Sequence, residues 1–123
     1  MTSHLEQSFD QYARIAKLPP GVYEYRFAAH HVGLGPRLRE RLAAVGLKDW
    51  RFDKAWPDEK VFAELQGGVW SGGRHVTGIG YEGDCEKLNA ATLLGWRGMI
   101  LTSNALKSDP LGCMEKIRTL LKG

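Results

Sequence analysis

Apolar residues recur at helical spacing at the start of the chain, where Leu5, Phe9, Tyr12, Ala13 and Ala16 form one stripe and Ser3 with Glu6 has the spacing of a capping box. This predicts a helix over 3–17, ended by Leu18-Pro-Pro-Gly21. The period then changes to two. Val22-Tyr-Glu-Tyr-Arg-Phe27 is dense in β-formers, and alternation puts Val22, Glu24 and Arg26 on a polar face opposite a buried aromatic one. Glycines make His30-His-Val-Gly-Leu-Gly35 a loop, with His30 and His31 as loop residues rather than ligands. Pro36 suits a first helical position, and Arg37 to Val45 reads as a short basic helix closed by Gly46. Residues 51–66 follow as a hairpin whose turn centres on Asp58 and Glu59. Gly67, Gly68, Gly72, Gly73, Gly78 and Gly80 predict a long loop carrying Trp70, Arg74 and His75. Tyr81 to Leu94 then reads as a helix capped by Gly95, Trp96 to Thr102 as a strand entering the core, and the stretch from Ser108 or Asp109 through Leu121 as a last helix. The order α-β-(α)-β-β-α-β-α predicts an α/β fold with a mixed sheet flanked by helices.

The hairpin carries the first chemical signal. Its register sets Asp53 opposite Glu64 and Arg51 opposite Gln66. Opposed residues have Cβ atoms about 4.5–5.5 Å apart, and like charges there are destabilising. Two facing carboxylates call for something that holds them together, and a divalent metal on oxygen ligands is the simplest candidate. The alternative is a solvated hairpin face eased by Arg51 and Lys54.

Composition narrows the class. A chain of 123 residues with 43% hydrophobic and 25% charged residues is expected to form one domain with its own core. No apolar run approaches the roughly 20 residues of a membrane helix, and the first residues lack the layout of a signal peptide. A cytoplasmic protein without a membrane partner is therefore expected. Cys85 and Cys113 form no CxxC or zinc pattern and read as reduced thiols. The net charge of +3 is compatible with a polyanionic partner. Basic residues gather at Arg37, Arg39, Arg41 and Lys48, and again at Lys107, Lys116, Arg118 and Lys122. They read equally as phosphate contacts or as solvated helix faces.

Phe52-Asp53…Glu64-Leu-Gln66-Gly67-Gly68, Gly73-Arg-His75, Asp84-Cys-Glu-Lys87-Leu-Asn89-Ala and Gly95-Trp-Arg97 together resemble the small phage and bacterial members of the PD-(D/E)XK nuclease superfamily. These are relatives in architecture of Holliday-junction resolvases and very-short-patch repair endonucleases. The resemblance runs from the first helix to the Trp96 strand. It implies a restriction-endonuclease-like αβββαβ core with the metal site on the central hairpin, and a short helix inserted between the first two strands at about 30–47. It implies a Mg²⁺- or Mn²⁺-dependent deoxyribonuclease in which Asp53, Glu64 and the Leu65 carbonyl hold the metal. Gln66 stands where the family motif has lysine, and Lys87 on the following helix is the candidate replacement. Glu6 resembles the extra acidic residue of resolvase-like members, although as a capping-box glutamate it already has a structural role.

His75 is a candidate base or phosphate contact. Arg74 could clamp a phosphate, and Trp70 could stack on a base. Arg51, Arg37 and Arg41 complete the expected DNA contacts. Asp84 and Lys87 could instead form only an i, i+3 pair. DNA is the expected partner, and a homodimer is expected where two strands are cut. The alternative function is a catalytically weak or inactive nuclease-fold DNA-binding module.

Overall fold

The amino-terminal stripe becomes α1 (His4–Ile15), which buries Phe9 completely. A computed structural model describes residues 4–66 and 78–123, with the backbone alone described at 78–81. Ser3, and with it the capping box, lies outside the described residues, as does most of the glycine-rich loop with Trp70, Arg74 and His75. After α1 the Pro-Pro segment is tied to the sheet, because Trp56 Nε1 donates to the Pro19 carbonyl at 2.9 Å. β1 (Val22–Tyr25) follows.

The polypeptide then departs from expectation. The strand stops at Tyr25, and Phe27–Val32 is a helix, α2, ended by Gly33. His30 and His31 are therefore exposed helix residues, and His30 stacks on Tyr25 with ring centres 4.7 Å apart. No side chain caps α2 at Arg26. Burial decides the matter instead: Phe27, Ala28 and Ala29 are at most 1% exposed, and that packing overrides the β-propensity of the flanking residues. α3 (Leu38–Ala44) comes next, so the insertion holds two helices where one was expected. It closes on itself through Arg41, whose guanidinium donates to the carbonyls of Pro36, Val32 and Gly33.

β2 (Phe52–Trp56) and β3 (Val61–Gln66) form the predicted hairpin around residues 57–60, with Lys60 N–H donating to the Pro57 carbonyl and Lys60 at φ 55°. α4 (Gly78–Leu93) crosses over to β4 (Arg97–Thr102), which pairs parallel with β3. A turn of helix absent from the sequence reading, α5 (Ser103–Ser108), starts where Thr102 Oγ1 accepts from Ala105 N–H. α6 (Pro110–Lys122) starts as expected, with the Asp109 carboxylate accepting from Gly112 N–H.

The sheet order is β1-β2-β3-β4, with antiparallel pairs on the β1 side and the parallel pair at β4. β4 is thus an edge strand, and Leu101 is its one buried residue. One core lies between the sheet and α1, α5 and α6, around Phe9, Trp56, Val61, Met114 and Ile117. The other lies between the sheet and α2, α3 and α4, around Phe27, Leu42, Phe52, Phe62 and Trp96. There the rings of Phe27, Phe52 and Phe62 stack in series at 4.1 Å. Phe62 also lies over Gly98, its partner on β4, where an added Cβ would sit 2.3 Å from the ring. Gly98→Ala is accordingly expected to destabilise the fold by about 1–3 kcal/mol through overpacking, read as a lower denaturant midpoint at unchanged slope.

Candidate active site

Three pairs, Trp56↔Val61, Ala55↔Phe62 and Lys54↔Ala63, have the register expected for the hairpin. The ladder ends there, one step short of Asp53 and Glu64. Beyond it, side chains take over the role of carbonyls: Asp53 N–H donates to Glu64 Oε2 at 2.9 Å, and Leu65 N–H donates to Asp53 Oδ2 at 2.8 Å.

The cause is a break in alternation. Phe52 and Ala55 pack with the α4-side core, whereas Trp56 belongs to the α1-side core and Lys54 pairs with Asp10 of α1. The neighbouring strand breaks in step. Tyr23, paired with Lys54, bonds to α1, and Tyr25, paired with Phe52, joins the other core. This replaces the expected single aromatic face. Between them Glu24 takes φ 52°, a left-handed conformation unusual for a non-glycine residue. The break leaves Glu24 and Asp53 on neither core, and both line a cleft of about 630 Å³.

Glu6 of α1 and Leu65 of β3 line the same cleft. Arg51 Nη1 lies 4.0 Å from Glu24 Oε1. Glu64 opens on the other side of the hairpin, into a cavity of about 290 Å³ that it shares with Gln66, Cys85, Lys87 and Ile100. Glu64 is only 7% exposed. Lys87, reaching down from α4, donates its ammonium to Glu64 Oε1. Burial pushes the Glu64 carboxyl above its usual range, and the nearby Asp53 adds to the rise. Lys87 and the Asp53 N–H oppose it. The two carboxylates expected to need a partner therefore have one from the chain itself: an ammonium and two backbone N–H groups.

The oxygen donors suit a hard dication. Among the described residues no group of three or more His, Cys, Asp or Glu side chains could hold a metal ion. Asp53 and Leu65 line the cleft, and Glu64 reaches toward them from the neighbouring cavity as far as the Asp53 N–H; these residues would make a smaller oxygen set, of the kind Mg²⁺ accepts when water and substrate phosphate complete its shell. Asp53 Oδ1 takes no hydrogen bond from a described residue, which leaves it available on the cleft side.

The remaining expected residues divide between the Glu64–Lys87 cavity, which Gln66 and Asp84 also line, and the surface. Gln66 is exposed at the end of β3. Arg37 is exposed at the start of α3, while Arg41 is occupied by the three carbonyls of the insertion. Asp84 is exposed on α4. Trp70, Arg74 and His75 lie outside the described residues. Sequence reasoning missed Glu24, and it missed Asp10, Tyr23 and Lys54, which form a half-buried cluster beside the cleft. Lys54 had read as a solvated neighbour of Asp53.

Fold and site together define an α/β protein with a four-stranded mixed sheet flanked by helices, carrying paired carboxylates where its central hairpin opens. No helix among the described residues is long and apolar enough to cross a membrane. The chain matches no protein-family model, no curated protein and no solved structure in comparison with each.

Proposed function

We propose that this chain is a divalent-metal-dependent endonuclease with a PD-(D/E)XK-type core, hydrolysing DNA phosphodiester bonds. The observation that carries the reading is Lys87. An ammonium from the helix after the hairpin meets Glu64 beside Gln66, which supports its standing in for the missing motif lysine. The strand order and the parallel β3–α4–β4 crossover agree with the αβββαβ arrangement, with α2 and α3 as an insertion.

In this reading Asp53, Glu64 and the Leu65 carbonyl hold Mg²⁺ or Mn²⁺. When bound, the dication supplies Lewis-acid polarisation of the phosphodiester and hydroxide near neutral pH. The chain's own residues do the rest. Lys87 brings positive charge to where the phosphate gains negative charge. The Gln66 amide can both donate to and accept from a water, and so orients it without adding charge. Glu6 lines the same cleft as Asp53 and brings a further carboxyl group to it.

Supercoiled plasmid, branched duplex and single-stranded DNA incubated with Mg²⁺ or Mn²⁺ test the reading. Nicking that disappears with EDTA is the expected result, and no cleavage of any substrate with either metal overturns it. A second reading draws on one specific observation, that Lys87 and two N–H groups already satisfy Glu64 and Asp53. A nuclease-fold module that binds DNA without cutting it would look the same. Metal-independent DNA binding, unchanged by Asp53→Ala, would favour that second reading.

A further inference from the structure

Asp10, Tyr23 and Lys54 form a polar cluster that the proposed chemistry does not use. It lies on the α1 side of the β1–β2 pair, one helical turn along from Glu6 and next in the chain to Asp53. Lys54 is 7% exposed, with Nζ 3.3 Å from Asp10 Oδ1 and 3.7 Å from the centre of the Tyr23 ring. The Tyr23 hydroxyl donates to Asp10 Oδ1 at 2.5 Å and, more loosely, to the main-chain carbonyl of Glu6 at 3.1 Å. Burial, then Asp10 and Glu6, push the phenol well above its ordinary pKa, so it stays a donor throughout the working pH range.

A buried ammonium is an expensive way to attach a helix to a sheet. Apolar side chains of similar volume usually stabilise as well or better. What the charged cluster adds is direction. Tyr23 and Lys54 are paired residues on adjacent strands, at the step where alternation breaks, and both grip the same carboxylate of α1. Their neighbours in the chain, Glu24 after Tyr23 and Asp53 before Lys54, line the cleft, and the carbonyl that Tyr23 touches belongs to Glu6 itself. One network therefore fixes both walls of the cleft relative to each other.

We propose that Asp10, Tyr23 and Lys54 are positioning residues that hold the first turns of α1 so that Glu6 lines the same cleft as Asp53. The inference rests on the metal-dependent reading above. Its measurable consequence lies in metal affinity, because residues that orient a metal site from outside its ligands typically change affinity 10- to 100-fold when removed.

Mn²⁺ alone is titrated calorimetrically into the full chain, its Tyr23→Phe and Glu6→Gln variants and the double variant, with circular dichroism on each. Tyr23→Phe is expected to keep the fold and weaken Mn²⁺ binding about tenfold. The double variant is expected to bind no more weakly than Glu6→Gln alone, since both changes remove the same contribution. Should Tyr23→Phe fail to fold, Asp10→Glu carries the same expectation, because it keeps a carboxylate for the buried Lys54 while displacing the acceptor through which Tyr23 holds α1. Wild-type affinity in the folded variant, or losses that add in the double variant, overturns the positioning role and leaves the nuclease reading standing. A wild-type chain that binds no Mn²⁺ overturns both.

Discussion

Lys87→Met is expected to destabilise the folded chain by about 3 kcal/mol at neutral pH, because removing one partner of a buried ion pair strands the other charge. The stranded group is Glu64, 7% exposed and bonded, among the described residues, otherwise only to the Asp53 N–H. Its carboxyl is already raised by burial, so the folded chain holds an extra proton between the unfolded and folded pKa values. Stability falls as pH rises through that window, opposite to the usual carboxylate. Taking Lys87 away removes the main force lowering the folded pKa and widens the window upwards. The deficit relative to wild type is therefore largest at neutral pH and shrinks as pH falls toward the ordinary glutamate range, about 4.3. Adding Glu64→Gln to Lys87→Met should recover much of the loss at pH 7. Urea melts across pH 4–8 provide the measurement, and a deficit that stays constant with pH would show that Glu64 is not the stranded charge.

The second large effect falls on activity. Asp53→Asn keeps an oxygen to accept from Leu65 N–H, so the hairpin should retain its shape. It removes one of two carboxylate charges from the proposed metal site. Loss of one preorganised electrostatic group typically lowers turnover by 10²–10³-fold, and a loss on the order of 10³-fold in nicking rate is expected here. Mn²⁺ binding should weaken alongside it, while the melting temperature stays near that of wild type. Nicking at the wild-type rate by Asp53→Asn would place the chemistry elsewhere in the molecule.

The hairpin was legible because its information is local. A turn at Pro57-Asp-Glu-Lys60 between two β-forming runs sets the register, and register brings Asp53 near Glu64. The end caps at Gly95 and Asp109 were legible for the same reason. α2 was not: Phe27-Ala-Ala-His-His-Val32 has no capping side chain at its start, and its helix rests on the burial of its first three residues, with Phe27 packed on Phe52 and Trp96. The break in alternation at Glu24 and Asp53 was equally hidden. Strict period-two reading assigns Tyr23 and Tyr25 to one face, yet Tyr23 bonds to α1 while Tyr25 packs on His30 of α2 and on Trp96 in the opposite core. Lys54 looked like a solvated charge because its partner, Asp10, is far away in the chain and nothing in the local pattern joins them. Lys87 came from resemblance rather than periodicity, and it is the residue α4 delivers to Glu64.

Glu24 has a further effect at the margin of the sheet. β1 is an edge strand of four residues, and an exposed edge invites a strand from another molecule. Short edges, charged side chains and local kinks are the usual defences against such growth. A glutamate at φ 52° in the middle of β1 combines all three, since it interrupts the straight row of N–H and C=O groups that an incoming chain would need. The kink that turns a carboxylate into the cleft thus also guards the protein against edge-to-edge aggregation on that side.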